Sequence, residues 1–346
     1  VAVAAAAPSS PPAKIGCHEA PALAYGIMVY QRKGSTAEET FRQFSRMFWA
    51  LYDECNTYVV HVDIKSTAEL SGLVSGMVGP IDNAHQIPSV SVSWGGITVV
   101  ERTLALMQRA LEKGPSWRYF VNLGHEDYPK ASQARTRRDL AAVPDGTNFI
   151  KCWPIEGHDF FGQWESHVGR VENVNLDDFD GKVEKYSNPR GKHAGKGRGS
   201  KEFKVYKSLQ QTVLSRQLVE HAVYSMQARR LLLFLATATA PDEIFFPTLV
   251  QSDKRFADMA TCDDTKHFSY WVRPGGSWHP EYLHLDHLPM VLNTSAPFIR
   301  KVDAGDLSGP LLDVLDFLRQ ADHHETAMAG PHETDETGIG ESATGE

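Results

Sequence analysis

Two adjacent carboxylates, Asp242 and Glu243, follow Pro241 and precede the apolar run Ile244-Phe245-Phe246-Pro247. An acid set among apolar side chains is partly desolvated, which raises its pKa and makes it a stronger base, able to take a proton from a hydroxyl. The same residues also spell an ordinary helix start, where proline suits the first turn and acids meet the positive end of the dipole. Further on, Phe298-Ile299 leads into Arg300-Lys301. Two fixed cations could stabilise the charge that develops on a departing diphosphate, although a dibasic surface turn reads alike. Asp178-Phe179-Asp180 has a spacing that could hold a divalent ion through oxygen ligands, or be a solvated acidic turn. Trp271, Trp278 and His279 could line a face on which a ring stacks, or belong to the core.

Other chemistries lack their residues. The histidines form no His-Glu-x-x-His pattern, and neither a dinucleotide fingerprint nor a P-loop occurs. Cys17, Cys55, Cys152 and Cys262 are too scattered for a structural zinc site but allow one or two disulfides. With the sequon Asn293-Thr294-Ser295 they point toward the secretory pathway. A net charge of -8 argues against a general nucleic-acid surface. No stretch approaches the roughly 20 apolar residues of a membrane helix. The alanine-rich start and Pro8-Ser9-Ser10-Pro11-Pro12 read as the stub of a stem or removed anchor, so any membrane segment lies outside this sequence.

The elements that must position these residues alternate. A buried strand is predicted over residues 23–30, then a helix capped by Ser35 with Glu38 and carrying Phe41, Phe44, Phe48 and Leu51 at helical spacing, then a strand over 58–63 that ends on Asp63. A second cycle gives a β-rich stretch over 87–94, the break Gly95-Gly96, a helix through Ile97, Val100, Leu104, Met107 and Leu111, and a strand over 117–123 that ends in Gly124-His125-Glu126-Asp127. A third runs through 135–143 and 149–153. In open α/β sheets ligands collect at the carboxyl ends of strands, so Asp63 and the Glu126-Asp127 pair fall on one functional edge. Residues 182–204 form a glycine-rich basic loop, helical spacing resumes over 214–235, and the chain from 321 to 346 reads as a disordered acidic tail.

The ordered series Tyr58-Val59-Val60-His61-Val62-Asp63-Ile64-Lys65, Ser93-Trp94-Gly95-Gly96, Trp117 to Leu123 with Asp127-Tyr128-Pro129, Asn148-Phe149-Ile150, Pro241-Asp242-Glu243, His279-Pro280 and Phe298-Ile299-Arg300-Lys301 resembles the core-2/I-branching glycosyltransferase family, family 14. The resemblance covers roughly residues 23–302. It implies an α/β fold of GT-A type, a Rossmann-like sheet flanked by helices, as a single catalytic domain over 22–320 with residues 1–21 as stem. It also implies an inverting transfer from a UDP-sugar, most simply N-acetylglucosamine, to a hydroxyl of a glycan or glycoprotein acceptor, giving a β-linkage without cofactor or metal. Peptide O-xylosyl and β-glucuronosyl transfer are alternatives of the same family, and a catalytically silent carbohydrate-binding relative is an alternative of another functional class. The family setting is the Golgi lumen, on type II membrane proteins.

Carried over by position, Glu243 is the base. His61, Asp63, Trp94, Gly95, Asp127, Arg300 and Lys301 lie at the nucleotide-sugar, with Arg300 and Lys301 in place of a metal, and Asp242, Trp271 and His279 lie at the acceptor. Three features depart from the pattern, one of them the basic insertion at 182–204. Where many members carry Gly-Ser-x-Trp this chain reads Lys207-Ser208-Leu209-Gln210-Gln211, and cysteines are few beside the disulfide-rich animal enzymes.

Overall fold

The computed structural model describes residues 17, 20–114, 116–156, 164–178, 181–186, 203–272 and 279–328. The first strand, β1 (Ala22–Val29), is buried at every position, the mark of a central strand covered on both faces. Helix α1 (Ala37–Leu51) follows, capped one residue later than predicted. Thr36 Oγ1 accepts from the Glu39 amide at 3.1 Å, and the Glu39 carboxylate accepts from the Thr36 amide at 2.8 Å. The Ser35 hydroxyl instead donates back to the Arg32 carbonyl. Then come β2 (Thr57–Val62), α2 (Ala68–Val78) and β3 (Ala84–Gln86).

The stretch predicted as a strand over 87–94 is not one. Pro88 has no amide to donate, and the backbone of the segment meets that of β2 and its end where Ile87 donates to Val60 and Val90 accepts from Ile64. Helix α3 (Ile97–Lys113) leads into β4 (Trp117–Gly124) and the short β5 (Asp127–Pro129). After α4 (Gln133–Ala141) come β6 (Asn148–Lys151), β7 (Trp153–Pro154) and α5 (Trp164–Glu172). β8 (Val174–Asp177) pairs with β9 (Val183–Tyr186) in a hairpin, and β9 occupies the first part of the segment predicted as basic loop; residues 187–202 of that loop lie outside the described residues.

Beyond it lie β10 (Tyr206–Lys207) and β11 (Val213–Ser215). The single helix predicted over 214–235 is two, α6 (Arg216–Tyr224) and α7 (Met226–Leu235), parted where the Ser225 hydroxyl caps the second. The remaining elements are α8 (Asp242–Gln251), α9 (Lys254–Ala257), β12 (Ala260–Cys262), β13 (His267–Ser269), α10 (Leu288–Asn293), β14 (Phe298–Arg300) and α11 (Gly309–Met328). That last helix continues past the predicted start of the tail; residues 329–346 lie outside the described residues.

The main sheet has seven strands in the order β12-β6-β11-β4-β1-β2-β3, parallel except for β11. One apolar cluster, including Phe44, Phe48, Val60 and Leu312, covers one face, and another, including Val100, Met107, Leu218 and Phe245, covers the other. Register decides where polar ends emerge. Met28 lies opposite both His61 and Gly124, and the Asp63 and His125 amides donate to the Val29 and Met28 carbonyls. Asp63 and the His125–Asp127 turn therefore share one edge, as predicted. A second sheet, β13-β14-β5, sets Arg300 opposite Asp127.

Disulfides join Cys17 to Cys55 and Cys152 to Cys262, leaving no free cysteine. The first lies partly within residues 1–21, the stretch read as stem. Cys17 is bonded to the domain, and the buried Arg137 side chain donates to the Ala20 and Pro21 carbonyls. Among the described residues no helix is long and apolar enough to cross a membrane.

Candidate active site

Pro241-Asp242-Glu243 does start a helix, and both readings of the motif apply together. Ala240 turns the backbone at φ 50°, its amide donating to the Gly95 carbonyl at 2.8 Å, and α8 begins at Asp242. Glu243 is about a quarter exposed and bonded on one oxygen, at 2.5 Å to Arg170 and 3.2 Å to Lys207. The Ser208 amide fixes the strand beside it by donating to the Glu243 carbonyl at 2.7 Å.

These partners overturn one predicted property. Burial alone would raise Glu243, but Lys207 and Arg170 outweigh it and hold the carboxyl below its ordinary value. Asp242 takes the shift expected of Glu243, pushed up to about 7 by burial and by the neighbouring Glu243 charge. Sequence reasoning did not find Arg170. Lys207 was in view, yet only as part of a segment that departs from the family pattern.

Arg300 and Lys301 are not free cations. Glu126, 1% exposed, accepts from the hydroxyls of Tyr30 and Tyr282, each at 2.7 Å, and pairs with Arg32 at 3.4 Å, Lys301 at 3.4 Å and Arg300 at 3.7 Å. Arg300 also reaches Asp127 at 3.3 Å, as the β5–β14 register requires. Burial opposes the Glu126 charge, but His125, Arg300 and Lys301 hold the carboxyl at about 2. Burial likewise lowers Lys301, against the pull of Glu126. Arg32 and Lys301 both lie over the Tyr282 ring, at 5.2 and 4.4 Å. The sequence signals no role for Arg32 or Tyr282, which lie 250 residues apart in the chain.

Of the remaining predicted donor-side residues, Asp63 pairs with Lys65 at 2.7 Å and His61 accepts from the Val90 amide at 3.2 Å. Burial takes His61 down to about 4, so it is neutral at physiological pH. Trp94 is 72% exposed and packs at a tilt against His279, ring centroids 5.2 Å apart, joining one residue expected at the donor to one expected at the acceptor. Gly95, at φ 76°, offers the carbonyl that holds Ala240, so this turn borders the loop that leads into Glu243 as well. Trp271 lies elsewhere, on a cavity of ≈ 310 Å³ with Lys151, Leu209, Asp263 and His267. Another cavity, of ≈ 320 Å³, touches the cation cluster at Arg32 and Asp303. Neither is lined by Glu243 or Lys301. Glu243 and Lys301 each sit in an ion-pair cluster with its own partners. Asp178 accepts from the Lys182 amide at 2.9 Å, while Phe179, Asp180 and Trp278 lie outside the described residues.

A family profile described as Core-2/I-Branching enzyme matches residues 24–290. The chain belongs to that family. It is 28% identical over 307 residues to the beta-glucuronosyltransferase GlcAT14B of Arabidopsis thaliana, covering 84% of this chain and 65% of the plant protein. Xylosyltransferase 2 of Bos taurus is 27% identical over 279 residues, 76% of this chain and 28% of the bovine one. A Rattus norvegicus protein, beta-1,3-galactosyl-O-glycosyl-glycoprotein beta-1,6-N-acetylglucosaminyltransferase 3, is 24% identical over 230 residues, 66% of this chain and 46% of the rat one. The chain therefore spans less than two thirds of each of these relatives, and the three transfer different sugars by name. The core-2/I-branching profile reaches from β1 to α10, taking in both carboxylate clusters and stopping short of Arg300 and Lys301.

Proposed function

We propose that this core-2/I-branching family member transfers a sugar from a UDP-sugar to an acceptor hydroxyl with inversion, and that Glu243 is the base. The observation that carries the reading is the setting of Glu243. It stands on the first turn of α8, partly open to solvent and held ionised by Arg170 and Lys207, beside the Trp94–Gly95 turn. The acceptor hydroxyl gives its proton to Glu243 as its oxygen bonds to the anomeric carbon, and the bond to the diphosphate breaks on the opposite face. Arg300 and Lys301, with Arg32 beside them, are the cations proposed to receive the departing UDP without a divalent ion; activity in a strong chelator tests that part. Asp63 and Asp127 belong to the donor side, and Asp242, Trp271 and His279 to the acceptor side.

N-acetylglucosamine is the expected donor sugar. Xylose and glucuronic acid fit the named relatives equally, and a thermal-shift screen of UDP-sugars separates them, because a bound donor stabilises the native state by mass action. The acceptor is a glycan or glycoprotein, met in the Golgi lumen. Glu243→Gln is expected to lower UDP release by about two to four orders of magnitude with donor affinity kept. Wild-type release from that variant removes Glu243 from the mechanism.

One observation favours a second reading, with Asp242 as the base. Its carboxyl lies at about 7, where proton transfer near neutral pH is most efficient. Asp242→Asn then costs more than Glu243→Gln; the reverse order supports Glu243.

A further inference from the structure

The segment from α5 to β9 grips the site at three places. From α5, Arg170 reaches Glu243 with its side chain and accepts the Thr239 amide with its carbonyl, at 2.9 Å. From β8, the Asn175 amide donates to the Thr237 carbonyl at 3.0 Å, so the stretch that leads into Pro241 is held from two successive elements. At the end of β8, the Asp177 carboxylate accepts from the Ser93 hydroxyl at 2.5 Å and the Thr98 hydroxyl at 2.7 Å.

Asp177 supplies what α3 lacks. The N-cap of that helix is Gly96, which has no side chain to bond the first-turn donors, and a carboxylate there also meets the positive end of the dipole. The fit is close. A Cβ on Gly96 would lie 2.1 Å from Asp177 Oδ2, so a side chain at residue 96 would expel the carboxylate. Between Ser93 and Thr98 lies Gly95, whose carbonyl holds Ala240 in front of the base. At the hairpin turn, Gly181 sits at φ 108°, and a Cβ there would come within 2.9 Å of the Lys65 side chain, the partner of Asp63.

We propose that Arg170 and Asp177 are positioning residues for the transfer. Arg170 fixes the orientation of the Glu243 carboxylate, and Asp177 fastens the segment that carries Arg170 to the turn that holds the base loop. The inference rests on Glu243 being the base. Arginine suits the task because its planar fork keeps its charge and constrains direction, whereas Lys207, the other partner, is a point charge on a flexible stem.

The test uses the whole chain and two readouts. In steady-state UDP release, Arg170→Met is expected to lower kcat about tenfold or more and leave donor KM within about twofold, the pattern of a misplaced catalytic group rather than lost binding. The acid limb of its pH–rate profile should move up by about one pH unit. Arg170→Lys should return the limb toward wild type and recover part of kcat, which a fold defect would not allow. Asp177→Asn should lower kcat by a smaller factor without moving the limb. The second readout needs no turnover: in chain labelled with ¹³C at glutamate carboxyls, the Glu243 resonance should titrate about one pH unit higher in Arg170→Met than in wild type. If Glu243→Gln is inactive while Arg170→Met keeps wild-type kcat and acid limb, the positioning role is overturned and the base stands. If Glu243→Gln stays active, the base reading falls. The titration then judges Arg170 alone, and an unmoved midpoint overturns its hold on Glu243.

Discussion

Glu126 and Glu243 both face cations, yet their surroundings differ in kind. Glu126 is 1% exposed and ringed by three cations and two tyrosine hydroxyls, while Glu243 is 24% exposed, held by two cations, and adjoins a second acid. A buried charge with its valences filled is structural, because removing it strands the cations around it. A charge open to solvent on one side and pressed by a like charge can exchange protons and partners. The contrast teaches that the number of ion pairs on a carboxylate says less about its work than whether the set around it is closed.

The largest test of that contrast is Glu126→Gln, which leaves Arg32, Arg300 and Lys301 without their shared carboxylate. It is expected to cost about 3–5 kcal/mol, read as a lowered denaturation midpoint in urea. Glu243→Gln should cost less in the same measurement, since Arg170 stays in contact with solvent and removing that charge relieves Asp242. A loss as large as that of Glu126→Gln would make the two clusters alike.

Next in size is a pH effect that only the open cluster should show. The folded-state pKa of Asp242 is raised to about 7, so from its unfolded value near 4 up to about 7 the native state holds a proton that the unfolded state has shed. Stability therefore falls as pH rises through that window, and Asp242→Asn should flatten the slope between pH 5 and pH 8. For Glu243 the sign is opposite. Its lowered pKa contributes stability above the unfolded value, lost as pH falls through the folded one.

Smallest in stability is Lys301→Met, because Glu126 keeps Arg32, Arg300 and both tyrosines. Its expected cost is about 1 kcal/mol, with UDP affinity falling about tenfold in calorimetry. A variant that loses stability as Glu126→Gln does but binds UDP normally would place Lys301 with the closed network.

Much of the scaffold was legible because a doubly covered sheet writes its strands as continuous apolar runs, and β1, β2 and β4 fall within a residue or so of their predicted bounds. The carboxylates at its edge were legible for the same reason, since a strand ending in Asp63 or Glu126-Asp127 fixes where those acids emerge. Partners were not. Arg170 meets Glu243 across 73 residues of chain and Arg32 meets Tyr282 across 250, contacts made by sheet order rather than by any local spacing. The shifted capping box and the false strand at 87–94 are failures of a milder kind, in which neighbouring residues offered equal local signals and the backbone geometry chose between them.

The bond from Cys17 to Cys55 has a mechanical consequence. Cys55 lies just before β2, at the end of the strands opposite Asp63 and the Glu126 turn, roughly 20 Å away by strand rise. A pull on the chain at Cys17 enters the sheet through that covalent link, at the base of β2, as well as along the chain into β1. Force applied there runs into the rear of the domain, leaving the loops that carry Trp94 and Glu243 outside the load path.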